Sequence, residues 1–226
     1  MDAIPVVRRV TWDIERSEAS AAIHHGRRIP EAPSRAVWIH DVSRPALVLG
    51  STQPDEVVDR GVAGTLGVEV VRRRSGGGAV LLVPGEVVWL DVIVPEGDVL
   101  WDDDVGRSSL WLGETWRSAL VDLGITGLAI HDGSLACGPL GRLVCFGAVG
   151  PGELTMQGRK LVGISQRRTR AGARYQCAVY RVWAPDLLAD LLCLDDDARA
   201  VLANAALGVD AAPDDIVAAF LHHLPS

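Results

Sequence analysis

The order of predicted elements puts this chain in the α+β class, with a central mixed β-sheet and helices packed against it. Three observations lead there. Short apolar runs recur at 36–40, 46–50, 68–72, 79–83 and 87–94, bounded by Gly, Pro, Ser and Asp. Segments of helical periodicity stand between strand runs at about 54–66 and 105–123. The chain then ends in three successive helical segments, at about 185–192, 196–207 and 213–223, each carrying leucines or alanines at helical spacing. No internal repeat and no Pro/Ser/Gly linker breaks the chain. One domain over 1–226 is expected, with a helical C-terminal segment from about 185.

Taken in order, Val6, Val7 and Val10 predict a short strand, and Trp12, Ile14, Ala19, Ala22 and Ile23 a helix after it. Pro30 and Pro33 mark a loop. Residues 36–40 and 46–50 read as strands joined by a turn ending in Pro45. Pro54 opens the next helix, with Asp55 and Glu56 suited to its N-terminus. Strands 68–72, 79–83 and 87–94 form a predicted three-strand meander around a glycine turn and the Pro84-Gly85 turn. The acidic run 102–104 is placed to cap helix 105–123, whose apolar face holds Leu110, Trp111, Leu112, Trp116, Leu120 and Leu123. A short strand is expected at 126–130, and another at 143–146 inside a Gly- and Pro-rich stretch. Residues 154–156 and 160–165 pair across a turn that Gly158 suits, and 174–183 is a further strand.

Composition narrows the function classes. Of 226 residues, 48% are hydrophobic and 23% charged, which excludes a mainly disordered chain. Lys and Arg number 22 against 29 Asp and Glu, a formal charge of -7 that disfavours non-specific binding to nucleic acid or anionic membrane but leaves room for a local basic site. Cys137, Cys145, Cys177 and Cys193 have no CxxC spacing and read as reduced thiols. The first residues lack the pattern of a signal peptide, and no apolar run is long enough to cross a bilayer, so a cytoplasmic location is expected. Adjacent histidines at 24–25 and 222–223 are not expected to converge on an ion, and no metal-binding spacing appears.

Chemistry concentrates in three places. The first is Arg72-Arg73-Arg74-Ser75-Gly76-Gly77-Gly78-Ala79-Val80, in which cations lead into a triple-glycine turn between strands. Glycine lets main chain approach a ligand closely, consecutive N–H groups can form an anion nest, and arginines add fixed charge. It is neither a Walker loop nor a dinucleotide fingerprint. The second is Lys160, the sole lysine, at a turn–strand junction from which an ammonium can meet a carboxylate, a phosphate or an oxyanion. The alternative is a solvent-facing strand lysine. The third is Cys145 between Val144 and Phe146, a core thiol or a nucleophile forming an acyl thioester. His131 and Asp132 are the candidate base and its orienter.

The glycine segment resembles the signature of the lipoate-protein ligase A family, which includes octanoyltransferases and is similar to biotin protein ligase catalytic domains. The segment containing Gly50 and Gln53 looks like the family's glycine-x-x-glutamine stretch. Gly158-Arg159-Lys160-Leu161-Val162-Gly163-Ile164-Ser165-Gln166 looks like its lysine motif. The resemblance spans roughly 10–185 and implies a biotin/lipoyl ligase catalytic-domain fold. It implies that the glycine turn, Gln53, Gly163 and Ser165 close around an acyl chain or acyl-adenylate, and that Lys160 holds its carbonyl or phosphate. A ligase would use ATP and magnesium with lipoate or octanoate, and would modify a lysine of a lipoyl domain. Cys145-Phe146 resembles the pair of the cysteine-dependent octanoyltransferases, for which an acyl carrier protein is the implied donor. Where the family has His-Asp, a glycine and an asparagine, this chain has residues 81–86, in which only Gly85 survives and Glu86 replaces the asparagine. The C-terminal accessory domain of full-length ligases is not expected, so an accessory subunit is an implied partner. The adenylate route is the leading expectation, thioester transfer the second, and a non-catalytic member binding a ligand or protein the third. Under the first two, Lys160→Ala is expected to reduce transfer by orders of magnitude with little effect on melting.

Overall fold

The computed structural model describes residues 11–226, so the strand expected around Val6–Val10 lies outside the described residues. Its strands are β1 (Asp13–Ala19), β2 (Ala36–Val42), β3 (Ala46–Leu49), β4 (Glu69–Arg72), β5 (Val80–Leu82), β6 (Val87–Pro95), β7 (Leu128–Ile130), β8 (Ala136–Cys137), β9 (Ala148–Val149), β10 (Leu154–Met156), β11 (Arg159–Arg168) and β12 (Gly172–Tyr180). Its α-helices are α1 (Ala21–Gly26), α2 (Arg60–Thr65), α3 (Leu110–Asp122), α4 (Asp186–Leu191), α5 (Asp196–Ala203) and α6 (Pro213–His222).

The main sheet runs β1-β2-β6-β12-β11-β10-β7, and a smaller one runs β4-β3-β5. Both are mixed, as expected: β1 is parallel to β2 and β3 to β4, while the remaining pairs within these two sheets are antiparallel. The interior strand β6 is almost continuously apolar because both its faces are covered. Val88, Leu90, Val92 and Val94 pack on Leu112, Trp116 and Leu120 of α3 and on Ile216 and Phe220 of α6. The opposite face, with Val87 and Trp89, meets Leu47, Leu49, Val80 and Leu82 of the small sheet and Leu188 and Leu191 of α4. The cavity described below lies between these two sheets.

Several local expectations are corrected. Residues 13–19 form an edge strand, not helix. Their charges stay exposed, and Glu15 and Arg16 pair with Arg27 and Asp41. The helix starts only at Ser20, whose hydroxyl accepts from the Ile23 amide. The meander does not form. β3 lies between β4 and β5, and β6 departs to the main sheet, because α2 carries the chain across so that β4 runs parallel to β3. The expected helix 54–66 is a 3-10 turn at Asp55–Val57 followed by α2, which Asp59 caps through the Val62 amide. Helix α3 begins at Leu110, since Asp102 and Asp104 cap their own loop through the amides of Asp104 and Gly106. Residues 145–147 are a 3-10 turn rather than strand, with only an isolated bridge between Ala79 and Val144.

Near the predicted glycine turn, close backbone approach requires glycine at positions 50 and 78. A Cβ on Gly50 would stand 1.9 Å from the Gly77 carbonyl oxygen, and one on Gly78 2.5 to 2.7 Å from the backbone of Val144 and Cys145. Gly78→Ala is therefore expected to cost about 1–3 kcal/mol, as overpacking does. In a chain of this size that is a Tm loss of several degrees, at about 2–4 °C per kcal/mol, and an unchanged melting curve would contradict the packing described.

Candidate active site

The two motifs flanking the centre of the molecule meet at the main chain of Cys145. The Cys145 amide donates to the Ala79 carbonyl (2.9 Å) and the Ala79 amide to the Leu143 carbonyl (2.8 Å), so the segment after the glycine turn docks on 143–145. From the other side the Lys160 ammonium donates to the carbonyls of Cys145 (3.1 Å) and Ala148 (3.0 Å). Its third partner is the carboxylate of Glu153, at 2.6 Å. Both side chains of this ion pair are at most 5% exposed. Lys160 is thus neither a solvent-facing lysine nor one projecting into an open cleft. Its three protons are all engaged by protein, and its charge lies 5.0 Å from the Phe146 ring.

Glu153 was not singled out from the sequence. Its Oε2 also accepts from the Gly150 amide (2.7 Å) and its Oε1 from the Ile164 amide (2.7 Å), which ties the 148–152 loop to β11. The available signal was the sole lysine itself, because a buried ammonium needs a carboxylate. The choice among 29 acidic residues was not readable.

An apolar cavity of about 40 Å³ opens beside the Cys145 turn. Its wall includes Cys145, Phe146 and Trp89, with Arg73, Gly163 and Ser165 from the predicted set. It has room for a few waters at about 10–15 Å³ each, so an octanoyl or lipoyl chain requires the walls to part. Cys145 is half-buried there, whereas Cys177, in the same wall, is fully buried and its thiol is pushed up by desolvation. Arg73 is buried, with Nε and Nη2 donating to the Gly76 carbonyl and Nη2 also to the Gly78 carbonyl; Nη1 has no partner among the described residues. The arginine therefore shapes the glycine turn from within. Ser75 donates to Gln176 (2.9 Å) and meets the Ser165 hydroxyl (3.2 Å), and Gln176 in turn meets His25 (3.2 Å).

The remaining predicted residues lie around this wall rather than in it. Gln53 accepts from the Gly50 amide and donates to the Leu143 carbonyl (2.9 Å both), so it holds the segment leading to Cys145. Arg72 donates to the carbonyls of Gly50 and Gln53 and pairs with Asp55. Gly77 and Gly78 line a separate surface groove with Gln53 and Leu143, Gly76 is exposed and Ala79 is core. Arg74 is exposed on the far side of the cavity wall. His131 and Asp132 do not reach the cavity; the His131 ring is bonded to the Ser134 carbonyl of its own loop. Contrary to expectation, His222 and His223 bring donor atoms within 4.8 Å of Asp122, at the ends of α6 and α3, where His223 already bonds that carboxylate.

A second polar network missed in the sequence underlies the cavity. Asp91 is fully buried and accepts from His40 (2.7 Å), from Nε of Arg174 (2.8 Å) and from Trp89 (3.2 Å). Burial pushes its carboxyl upward, but the pull of His40 and Arg174 outweighs that and holds it well below the usual carboxylate range. Burial also drives His24 downward and His25 down to about 3.

The architecture, a mixed sheet with packed helices, is that of the biotin/lipoate ligase catalytic-domain fold. The chain belongs to the lipoyl protein ligase A/B catalytic domain family, whose model matches residues 23–201. At the family level its chemistry is that of lipoate or octanoate attachment. Among solved structures, lipoate-protein ligase A bound with ATP has a TM-score of 0.68 at 16% identity, covering 93% of this chain and 83% of that one. The bipartite lipoate protein ligase of Thermoplasma acidophilum, described with its E2 lipoyl domain, has a TM-score of 0.65 at 18% identity over 95% of this chain and 82% of that one. A T. acidophilum protein with bound lipoic acid has a TM-score of 0.64 at 17% identity over 89% and 75%. At these identities the likeness is one of fold. No curated protein matches the sequence. No helix among the described residues is long and apolar enough to cross a membrane.

Lys160→Met is expected to destabilise the fold by about 3–5 kcal/mol, because Glu153 is left buried without its partner. This revises the expectation that removing the lysine leaves melting untouched. The double variant with Glu153→Met should melt above either single one, and a strictly additive loss in denaturant titrations would refute the pairing. The pH dependence follows from the shifts. His24 and His25 protonate in the unfolded chain near the ordinary value of about 6.5 but resist protonation when folded, so stability declines as pH falls below that point. The Asp91 contribution is present above about 3.9, its unfolded value, and is lost as pH falls from there through its depressed native value. Tm measured from pH 7 to 3 should show both limbs, and His25→Gln should flatten the upper one.

Proposed function

We propose that this protein attaches a lipoyl or octanoyl group to the acceptor lysine of a lipoyl domain and carries the acyl group as a thioester on Cys145. The observation that carries this reading is the convergence of the glycine-turn segment and Lys160 on the main chain of one cysteine that lines the apolar cavity. Motifs that resemble a substrate clamp act here on the backbone of a nucleophile.

The steps balance without a redox partner. The Cys145 sulfur attacks the carbonyl carbon of an acyl thioester, its S–C bond forms as the donor's C–S bond breaks, and the departing thiolate takes the proton Cys145 loses. The acceptor amine then attacks the carbonyl carbon of acyl-Cys145, the amide C–N bond forms as the intermediate collapses with cleavage of the C–S bond, and the cysteine thiolate takes up the proton the amine loses. Arg73, which lines the cavity and whose Nη1 has no partner among the described residues, is the group suited to stabilise the oxyanion of each tetrahedral intermediate. His25, held near 3, stays neutral at physiological pH and is unsuited to serve as the base.

The residues present fit an adenylate poorly. The Lys160 ammonium is neutralised by Glu153, and Leu81 and Leu82, which stand where polar family residues are expected, are buried in the core. Thiol transfer needs neither ATP nor magnesium. A lipoyl domain as acceptor is supported by the likeness to the bipartite ligase described with its lipoyl domain, and an acyl carrier protein suits the donor role.

Incubation with a lipoyl domain and octanoyl-acyl carrier protein, without ATP, should add the acyl mass to the domain. A brief reaction without the domain should leave an acyl adduct on Cys145, and Cys145→Ala should abolish both. Mass gain that requires ATP and free lipoate would replace this route with the adenylate one, and no gain under either condition would reject acyl transfer altogether.

A further inference from the structure

Behind the Cys145 cavity lies a second concavity of about 440 Å³ that shares only His25 and Gln176 with it. Separate chain segments supply it with guanidinium groups: Arg27 and Arg28 after α1, Arg74 before the glycine turn, and Arg167, Arg170 and Arg174 from β11, its turn and β12. Two of the six are neutralised, Arg27 by Glu15 and Arg174 by Asp91. Arg28, Arg74, Arg167 and Arg170 form no salt bridge among the described residues, and Glu31 is the only carboxylate in the described lining.

On a chain of net charge -7, gathering these cations in one hollow is electrostatically costly without an anion. Guanidinium forks match phosphate and carboxylate oxygens in pairs. One strand measures the relation between the two hollows. Gly163 and Ser165 of β11 line the cavity, and Arg167 and Thr169 line the cleft. At about 3.3 Å per residue, Gly163 and Arg167 are about 13 Å apart. The polar chain Ser165–Ser75–Gln176–His25 forms the partition between them.

We propose that this arginine-lined cleft is an anion subsite of the acyl-transfer site, taking a phosphate or carboxylate group carried by the acyl substrate about a strand-length from the carbonyl that reacts at Cys145. The link to the acyl substrate rests on the reading of Cys145 as acyl acceptor; the affinity of the cleft for anions does not. Two parts of a substrate share this chemistry: the leaving group of the donor and the far end of the acyl chain.

Three thioesters separate them: octanoyl-CoA, neutral octanoyl-N-acetylcysteamine, and suberyl-N-acetylcysteamine, whose chain ends in a carboxylate. The rate of Cys145 acylation is read by intact mass for the wild type and for Arg28→Ser combined with Arg170→Ser, both exposed positions. One charge-assisted contact corresponds to a rate advantage of about tenfold or more for an anionic substrate over the neutral one, and the variant should bring that ratio close to one. An advantage for the CoA ester assigns the anion to the leaving group, and one for the suberyl ester assigns it to the chain end. Equal rates for all three, or a ratio unchanged in the variant, overturn the subsite. Calorimetry with inorganic pyrophosphate at low ionic strength reads the cleft without any reaction. Binding by the wild type that the variant loses supports it, and no binding overturns it. Absence of acylation by every thioester, with pyrophosphate binding intact, would reject the role of Cys145 and not the anion site.

Discussion

The backbone of Cys145 is held at both ends, its amide by Ala79 and its carbonyl by Lys160, and much of the site depends on that constraint. A 3-10 turn has few internal bonds of its own, so its position is set by what grips it. One grip requires glycine at 78, because no Cβ fits against residues 144–145. The other requires a buried cation, which in turn requires Glu153. The ion pair is not by itself a strong source of stability, since desolvation offsets much of the attraction. Its value here is geometric: an ammonium with three fixed acceptors locks the loop 145–150 to β11 in one arrangement.

A similar logic runs through the polar interior of the main sheet. Asp91 interrupts the apolar strand β6 and is matched by His40 on β2 and Arg174 on β12, neighbours on either side of it. Arg174 also donates to the carbonyls of His24 and Arg27, so the network fixes the end of α1 and the start of the arginine-lined loop. The floor of the Cys145 cavity and the wall of the cleft behind it are therefore parts of one hydrogen-bonded assembly. A chain with little lysine relies on arginine for this, and the fork geometry of the guanidinium suits it to bridging several carbonyls at once.

Much of the scaffold was legible in the sequence. The apolar runs at 36–40, 46–50 and 87–94 are strands, and the pairing of 154–156 with the strand that carries Lys160 follows from its turn, with Gln157 and Gly158 both at positive φ. Of the candidate site residues singled out from the sequence, Arg73, Cys145, Gly163 and Ser165 line one cavity. What misled was local pattern without partner. Residues 13–19 lack the period-2 apolar pattern of a strand and are held by pairing to β2 and by ion pairs from distant positions. Three strands in succession suggested a meander, but strand order depends on which neighbour buries each face, and a crossover helix placed β4 beside β3.

By itself the sequence determined the class of fold and the family, and it pointed to the glycine segment, the sole lysine and Cys145 as the candidates for acyl chemistry. Spacing and residue type carry those properties locally. Only the tertiary structure decided that the glycine-turn segment and the sole lysine both contact the main chain of Cys145, that Glu153 is the lysine's partner, and that six arginines from separate segments share one hollow. Those are relations between residues far apart in the chain. The burial that fixes an ion pair or gathers like charges comes into being only when the two sheets close on each other.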